Sequence, residues 1–268
     1  ISRGLVGSEM CIRDRSYIIV FILGSIWGSF SNVCIHRLPD NKSVSRGRSY
    51  CPSCKKQIRW YDNIPIFSYV FLKAKCRDCS AKINVKYLLV ELICALSFVW
   101  FFYLFGLSLT TLLFFILSIF FIIIFFIDLK HFIIPNELTF PLMAIGLLKS
   151  FDPNLNQYLF PNFLNSLIGG VAGYIIIWMI IFIYKRLRNK EGMGLGDAKL
   201  LSAIGFWFGW ISIPFILFFS SFIALVLAIP SLINKSKNLS SQIPFGPYLI
   251  LGCILYLLLL EKIILYLS

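Results

Sequence analysis

One stretch of the sequence limits the possible folds more than any other: residues 92–127 contain 36 consecutive positions without a charged side chain. A transmembrane helix needs about 20 mainly apolar residues, so this stretch is too long for one span and long enough for two. We expect a tight turn near residues 106–108, where Gly and Ser interrupt the apolar run. The pattern indicates a helical membrane protein.

The composition agrees with this interpretation. The chain is 59% hydrophobic and 14% charged, with a mean hydropathy of +0.84, whereas soluble domains carry about 25% charged residues. These values exclude a soluble globular enzyme, a disordered chain and a secreted disulfide scaffold. We therefore predict an all-α polytopic membrane protein with about eight transmembrane helices. The predicted spans are residues 17–35, two within 92–127, then 138–148, 163–184, 200–210, 213–233 and 243–266.

The basic residues predict the orientation in the membrane. If the N-terminus lies outside, the inside loops collect 20 of the 25 Lys and Arg residues, and basic residues mark cytoplasmic loops. The net charge of +13 therefore reflects topology, and we expect the lipid bilayer and no nucleic acid as a partner. Residues 1–15 lack an initiator Met and are polar, so we expect a non-native N-terminal extension outside the fold.

The remaining chain divides into a first transmembrane helix (16–35), a Cys-rich cytoplasmic loop (36–86) and a membrane domain (87–268). The loop holds Cys51, Cys54, Cys76 and Cys79, two Cys-x-x-Cys pairs separated by 21 residues. This spacing matches tetrahedral thiolate coordination of zinc, and four Cys ligands leave no open position, which favours a structural ion. A redox-active or coincidental pair of dithiols is the alternative. No internal repeat is evident.

Two acids stand at the boundaries of apolar segments. Asp128 directly follows the uncharged stretch, and Asp197 ends the sequence Gly194-Leu195-Gly196-Asp197. The predicted topology places both on the cytoplasmic side, so they could meet although 69 positions separate them. Two facing carboxylates share one proton, so that one activates water while the other polarises a peptide carbonyl. Gly194 and Gly196 would let an extended peptide approach. Alternatively, Asp128 pairs with Lys130 and Asp197 N-caps a helix.

In combination, these residues resemble the bacterial prepilin peptidases, also called type IV leader peptidases, which are Gly-x-Gly-Asp aspartic intramembrane proteases. The resemblance covers roughly residues 24–251. The matching blocks, in order, are Gly28-Ser29-Phe30-Ser31-Asn32-Val33, His36-Arg37-Leu38-Pro39, the two Cys pairs, Asn63-Ile64-Pro65-Ile66-Phe67-Ser68-Tyr69, Lys86-Tyr87-Leu88-Leu89-Val90-Glu91, Asp128 with Ile134-Pro135-Asn136, residues 194–200, and Pro244-Phe245-Gly246-Pro247-Tyr248. One departure is Lys86-Tyr87-Leu88, where the family tends to have Arg-Tyr-Pro.

The resemblance implies an enzyme of the bacterial inner (plasma) membrane that cuts the basic leader from type IV prepilins and pseudopilins at the cytoplasmic face. It implies that Asp128 and Asp197 are the catalytic pair. Bacterial members of this family are often N-methyltransferases as well, which move a methyl group from S-adenosylmethionine to the new N-terminal residue. The Cys-rich loop is associated with that second activity.

Three further residues are weaker candidates for a methyl-donor site: Glu91, His36 and Arg37. Glu91 is equally consistent with a span-end acid paired with a loop lysine, and the other two with interfacial anchors. Lys199 could tune the aspartates or extend to the interface. Two rival functions stay open at this point: a non-enzymatic scaffold or transporter whose zinc loop docks a partner, and a peptidase that never methylates.

Overall fold

The computed structural model describes residues 2–45, 47–155, 159–188, 193–233 and 244–267. This part of the chain is almost entirely helical and contains isolated β-bridges in place of strands. Its α-helices are α1 (Ser2–Arg37), α2 (Phe67–Phe71), α3 (Val85–Phe105), α4 (Leu109–His131), α5 (Asn136–Leu148), α6 (Phe163–Arg188), α7 (Leu195–Phe208), α8 (Ser212–Ile233) and α9 (Gly246–Leu267). The chain forms two compact units, Ile1–Ile123 and Ile124–Ser268, and the division falls within α4.

In the first unit, α1 packs closely against α3 because small residues lie at the contact. A Cβ added to Gly24 would lie 2.7 Å from the Cα of Ala95, and one added to Gly28 would lie 2.6 Å from the Cα of Glu91. Close approach of backbones through small residues is how helices associate in lipid, where burial of apolar surface provides no driving force between them. The Cys-rich loop connects these two helices.

In the second unit, α7 is the central helix: ten of its 14 residues are buried, and it contacts α5, α6, α8 and α9. As in the first unit, glycines determine how closely neighbouring helices approach. A Cβ on either Gly169 or Gly205 would overlap the carbonyl oxygen of the other, so α6 and α7 touch through their backbones. The hydroxyl of Ser202 donates to the carbonyl of Gly170 at 2.7 Å, which satisfies a polar group inside this contact.

Each predicted span corresponds to a helix in the described residues, although position 243 of the last one lies outside them, but the structure does not give all of these helices the length of a span. Five helices in the described residues are long and apolar enough to cross a membrane: Arg15–Asp40, Val85–Phe105, Leu109–His131, Phe163–Arg188 and Ser212–Ile229. Helices α5 and α7 have only 13 and 14 residues, fewer than the roughly 20 that a bilayer requires. The all-helical membrane fold is confirmed, and the count of eight spans stays a prediction.

Helix α1 ends at Arg37 and α3 begins at Val85, so residues 38–84 connect these two helices. Helix α1 begins at Ser2 and continues through positions 15 and 16 without a break, because helical backbone can continue through polar residues. The division into an N-terminal extension (1–15), a first transmembrane helix (16–35), a Cys-rich loop (36–86) and a membrane domain (87–268) stays a prediction.

Candidate active site and metal centre

The four cysteines of the loop form one cluster. The sulfur atoms of Cys51, Cys54, Cys76 and Cys79 all lie within 4.8 Å of one another, and the sulfurs of Cys51 and Cys79 are 3.8 Å apart. Zn–S bonds of about 2.3 Å in tetrahedral geometry require sulfur separations of about 3.8 Å. The cluster therefore has the donor set and the spacing of a structural zinc site, as the sequence predicted.

Two matching turns build this cluster. In each, the first cysteine donates its backbone N–H to the carbonyl five residues later: Cys51 to Lys56 at 2.9 Å and Cys76 to Ala81 at 2.8 Å. The residue four positions after each first cysteine, Lys55 or Ser80, has a φ of +57°. The two turns are thus copies of one short structural repeat, 25 positions apart, that we did not recognise in the sequence. Its signal was present as Cys51-Pro-Ser-Cys54-Lys55-Lys56-Gln57-Ile58 beside Cys76-Arg77-Asp78-Cys79-Ser80-Ala81-Lys82-Ile83.

The first turn also favours the thiolate form of one cysteine, Cys51. The backbone N–H groups of Cys54 and Ser53 donate to the sulfur of Cys51 and lower the pKa of this thiol to about 6. The thiolate is the form that ligates metal ions. Next to the second turn, Arg77 donates to the carboxylate of Asp62 from Nη2 at 2.6 Å and from Nε at 2.9 Å. This bidentate bond attaches the turn to the rest of the loop.

Asp128 lies on the last turns of α4, and its side chain is buried, with 4% of the residue exposed. Its Oδ2 accepts a hydrogen bond of 3.0 Å from the backbone N–H of Gly246, the first residue of α9. A Cβ at position 246 would lie 2.7 Å from that oxygen, so the contact requires glycine. Sequence analysis did not assign Gly246 a role; its signal was a glycine between the prolines of Pro244-Phe245-Gly246-Pro247.

Asp197 is the third residue of α7 and is 8% exposed. Gly194 is the N-cap of this helix, and its backbone N–H donates to the Asp197 carboxylate. Asp197 is therefore in the first turn and is not itself the N-cap, which corrects the alternative that the sequence left open. A carboxylate in this position also interacts favourably with the positive end of the helix dipole.

The structure brings the two acids together within the second unit. The carboxyl groups of Asp128 and Asp197 are close enough for the negative charge of one to repel that of the other. The side chain of Ile134 packs against a glycine next to each acid. A Cβ on Gly196, which precedes Asp197, would be 3.0 Å from the Cβ of Ile134. A Cβ on Gly246, whose N–H bonds to Asp128, would be 3.0 Å from the Cδ1 of Ile134. Ile134, three residues after the end of α4, thus contacts the starts of both α7 and α9. The sequence alone indicated no such role for it.

The alternative partner for Asp128 is not used. Lys130 is exposed, and in the part of the chain that the structure describes no ion pair joins it to Asp128. The second lysine near the acids, Lys199, donates to the side-chain oxygen of Asn136 at 2.7 Å and lies over the ring of Phe140. This bond connects the first turn of α7 to the first residue of α5.

The two glycines beside Asp197 have different surroundings. A Cβ on Gly194 would find no atom closer than 3.8 Å, so the space next to it is open. At Gly196, the space that a side chain would need is filled by Ile134. Packing therefore accounts for Gly196, and the approach of an extended peptide past Gly194 and Gly196 stays a prediction.

The three weaker candidates all lie in the first unit and make identifiable contacts. Glu91 is buried and accepts a 2.8 Å hydrogen bond from the backbone N–H of Ile66. The ring of His36 stacks on that of Tyr87 with centroids 5.9 Å apart. The guanidinium of Arg37 donates to backbone carbonyls of the loop that follows it, among them Gly47 at 2.9 Å. A role for these residues in binding a methyl donor stays a prediction.

Comparisons with known proteins cover most of the chain. Residues 22–105 match the bacterial peptidase A24 N-terminal domain, and residues 115–229 match the type IV leader peptidase family. The chain is 35% identical over 260 residues to a prepilin leader peptidase/N-methyltransferase of Aeromonas salmonicida, covering 86% of each chain. A protein of that name from Neisseria gonorrhoeae is 35% identical over 252 residues, and one from Pseudomonas aeruginosa is 34% identical over 254, each with 85% of both chains covered. No solved structure matches the chain significantly.

Proposed function

The chain belongs to the type IV leader peptidase family, and on that premise we propose that it cleaves the leader peptide from type IV prepilins and pseudopilins and then N-methylates the new N-terminal residue. The proposed location is the bacterial inner membrane, with the active site at the cytoplasmic face. The observation that carries the peptidase is the pairing of two buried carboxyl groups, Asp128 and Asp197, from helices 69 positions apart in sequence.

We propose that the two carboxyl groups act as one unit that holds a single proton. Like charges in close proximity cannot both remain ionised in a buried site, so one group stays protonated. The ionised carboxylate takes a proton from a water molecule, whose oxygen attacks the carbonyl carbon of the scissile peptide bond. The protonated carboxyl donates a hydrogen bond to the carbonyl oxygen. When the tetrahedral intermediate collapses, the C–N bond breaks and the leaving amine receives the proton that the first carboxyl group took from water, which restores the carboxylate.

The backbone holds each carboxyl group in place for this reaction. The N–H of Gly246 bonds to one oxygen of Asp128, and the N–H of Gly194 bonds to the carboxylate of Asp197. Hydrogen bonds from fixed backbone donors limit the rotation of both side chains. This preorganisation matters because a misplacement of about 1 Å can lower a rate by about 100-fold.

The methyltransferase activity follows from the family and from the names of the relatives. S-adenosylmethionine, when bound, supplies the methyl group that the free α-amine of the cleaved protein receives. Glu91, His36 and Arg37 are each engaged within the first unit by Ile66, Tyr87 and the loop carbonyls.

Replacement of either aspartate tests the peptidase. The full chain is reconstituted in proteoliposomes with a type IV prepilin, and the rate of leader removal is followed by mass spectrometry. We expect Asp128→Asn and Asp197→Asn each to lower the rate by about 10³-fold, the middle of the range for loss of general acid–base catalysis. The matched control is Asp152→Asn in the same unit, a half-buried aspartate whose Oδ1 accepts a hydrogen bond from the backbone N–H of Asn154. Retained cleavage by both dyad variants would overturn the proposal.

The second activity needs its own readout. The mature protein is incubated with the wild-type chain, with and without S-adenosylmethionine, and the mass of its N-terminal residue is measured. We expect a gain of one methyl group only when the donor is present, and the Asp128→Asn variant should still methylate a mature protein supplied already cleaved. An unmodified N-terminus in the presence of the donor would leave a peptidase without transferase activity.

A further inference from the structure

Part of the Cys-rich loop exposes large apolar side chains to an extent that is unusual for a polar, metal-binding module. We call residues 60–72, from the turn Trp60–Asn63 through α2, the aromatic segment. Phe71 is 82% exposed and Trp60 is 74% exposed. Ile64, Phe67 and Val70 are exposed as well. A contiguous apolar surface of this kind marks a site of contact with a membrane or with another protein.

One hydrogen bond fixes the position of the aromatic segment along the axis of α3. The backbone N–H of Ile66 donates to Oε2 of Glu91 at 2.8 Å. Glu91 is six residues after Val85, the start of α3, which corresponds to about 9 Å along the helix axis. Side chains of a helix lean toward its N-terminus, so Ile66 lies between the levels of Val85 and Glu91. The loop therefore folds back alongside the helix rather than extending away from its end.

The contact between α1 and α3 supports the same position along the helix axes. It contacts α3 at Glu91 through Gly28, and it continues nine residues beyond Gly28 to Arg37, or about 14 Å. Ile66, the N-cap of α2 in the aromatic segment, consequently lies within the length of both α1 and α3 and not beyond their ends. At this level α3 exposes Leu89 and Ile93, the apolar surface that a spanning helix presents to lipid. The segment thus borders a surface that lies in the bilayer.

Charge complementarity indicates the occupant. The aromatic segment is flanked by exposed basic residues on the chain, Arg59 before it and Lys73 and Lys75 after it, and Lys86 is the second residue of α3. The loop of residues 36–86 carries 12 Lys and Arg against three Asp. An apolar face bordered by basic side chains is the pattern of segments that lie in the membrane interface, where anionic lipid headgroups attract the cations.

We propose that the aromatic segment is an interfacial anchor that inserts into the bilayer surface at this end of α1 and α3. Phe67, Val70 and Phe71 lie among acyl chains, and Lys73 contacts the phosphates of anionic phospholipids. A hollow of about 630 Å³, walled in part by Phe67 and Phe71, then opens at the boundary between lipid and water. The anchor holds the four-cysteine cluster at a set height above the hydrocarbon core.

Photo-crosslinking tests this contact without requiring turnover. The photoreactive residue p-benzoylphenylalanine replaces Phe71 or, separately, Phe67 in the full chain, which is reconstituted in vesicles of phosphatidylethanolamine and phosphatidylglycerol. The matched control replaces Lys42, which is also exposed in the loop but follows the end of α1 and so lies farther from the hydrocarbon. Zinc content equal to that of the wild type shows that each variant retains the fold of the loop.

We expect covalent phospholipid adducts at positions 71 and 67, at least about ten-fold more abundant than at position 42. Adducts at positions 71 and 67 that do not exceed those at 42 would overturn the proposal. Crosslinked dimers in place of lipid adducts would also overturn it and would identify the face as a contact between two copies of the chain.

Discussion

The four-cysteine cluster and the aspartate pair are assembled in opposite ways. All four cysteines come from residues 51–79, and two turns with the same hydrogen-bond pattern hold them. The two aspartates are 69 positions apart, and the ends of three helices hold them. The cysteines range from buried to exposed, whereas both aspartates are buried. Local turns can build a metal site near water, but a buried acid pair requires packed helices.

This difference predicts which changes each site tolerates. The cluster depends on ligands and turns within the loop, so its loss is expected to leave the aspartates in place. The aspartate pair depends on glycines that allow backbone and side chains to approach closely, so one added methyl group is expected to disturb it.

Removal of one zinc ligand should abolish the structure of the loop. We expect Cys54→Ser to lose bound zinc and to lower methyl transfer below detection, because binding of a structural metal contributes directly to folding. Leader cleavage should change by less than about three-fold, since the hydrogen bonds of the aspartates come from the second unit. Zinc is measured by atomic spectroscopy beside both activities. Cys34→Ala, outside the cluster, is the control and should keep its zinc; full zinc occupancy in Cys54→Ser would contradict the assignment.

A methyl group at position 246 should disturb the aspartate pair selectively. In Gly246→Ala the new Cβ would lie 2.7 Å from Oδ2 of Asp128, so the carboxylate must move. We expect kcat for cleavage to fall by about 100-fold, as a displacement of about 1 Å can cause, while methyl transfer and zinc content stay normal. The companion variant Gly246→Ala with Ile134→Val removes the methyl group that also faces this Cβ. Recovery of activity in the double variant would assign the effect to Ile134 packing and not to the carboxylate.

The hydrogen bond between Lys199 and Asn136 should have a smaller effect on the same site. Lys199→Met removes a 2.7 Å bond between the starts of α7 and α5, and such a bond contributes about 1 kcal/mol, or about a five-fold change in rate. We expect that decrease in kcat with KM nearly unchanged. Asn136→Ala should have the same effect, and the double variant should lose no more. Additive losses would show that the two residues act separately.

A buried lysine in the second unit should affect stability and not activity. Lys149 is 6% exposed, and no hydrogen-bond acceptor reaches its Nζ among the described residues; the amine lies 4.1 Å from the centre of the Phe160 ring. Burial lowers the pKa of Lys149 to about 7 from 10.5. Between these two values the unfolded chain binds the proton and the folded chain does not, so the free energy of unfolding rises with pH.

Thermal unfolding in detergent checks this sign. Between pH 7 and pH 9, we expect the midpoint of the wild-type chain to rise by a few degrees relative to that of Lys149→Met. Lys130→Met, at an exposed position, should follow the wild type. Parallel curves for the wild type and Lys149→Met would contradict the expected linkage.

Much of the candidate site could be predicted from the residues themselves. The spacing of Cys51, Cys54, Cys76 and Cys79 identified the cluster because two close pairs of ligands need only short turns to meet. Asp128 and Asp197 were recognisable as acids at the ends of apolar segments, since a carboxylate there requires a partner or a function. Gly246 was not recognisable, because its importance comes from an oxygen 118 positions away along the chain.

The sequence by itself determined that the chain is a helical membrane protein with four cysteines at the spacing of a metal site and two acids at segment boundaries. These properties depend on hydropathy and on spacing over a few turns, which any short window of residues contains. The tertiary structure alone decided that Gly246 donates to Asp128, that Ile134 lies between the glycines of α7 and α9, and that the aromatic segment lies beside α3. Those contacts depend on complementary surfaces of distant segments, and no local pattern encodes how closely two such surfaces approach.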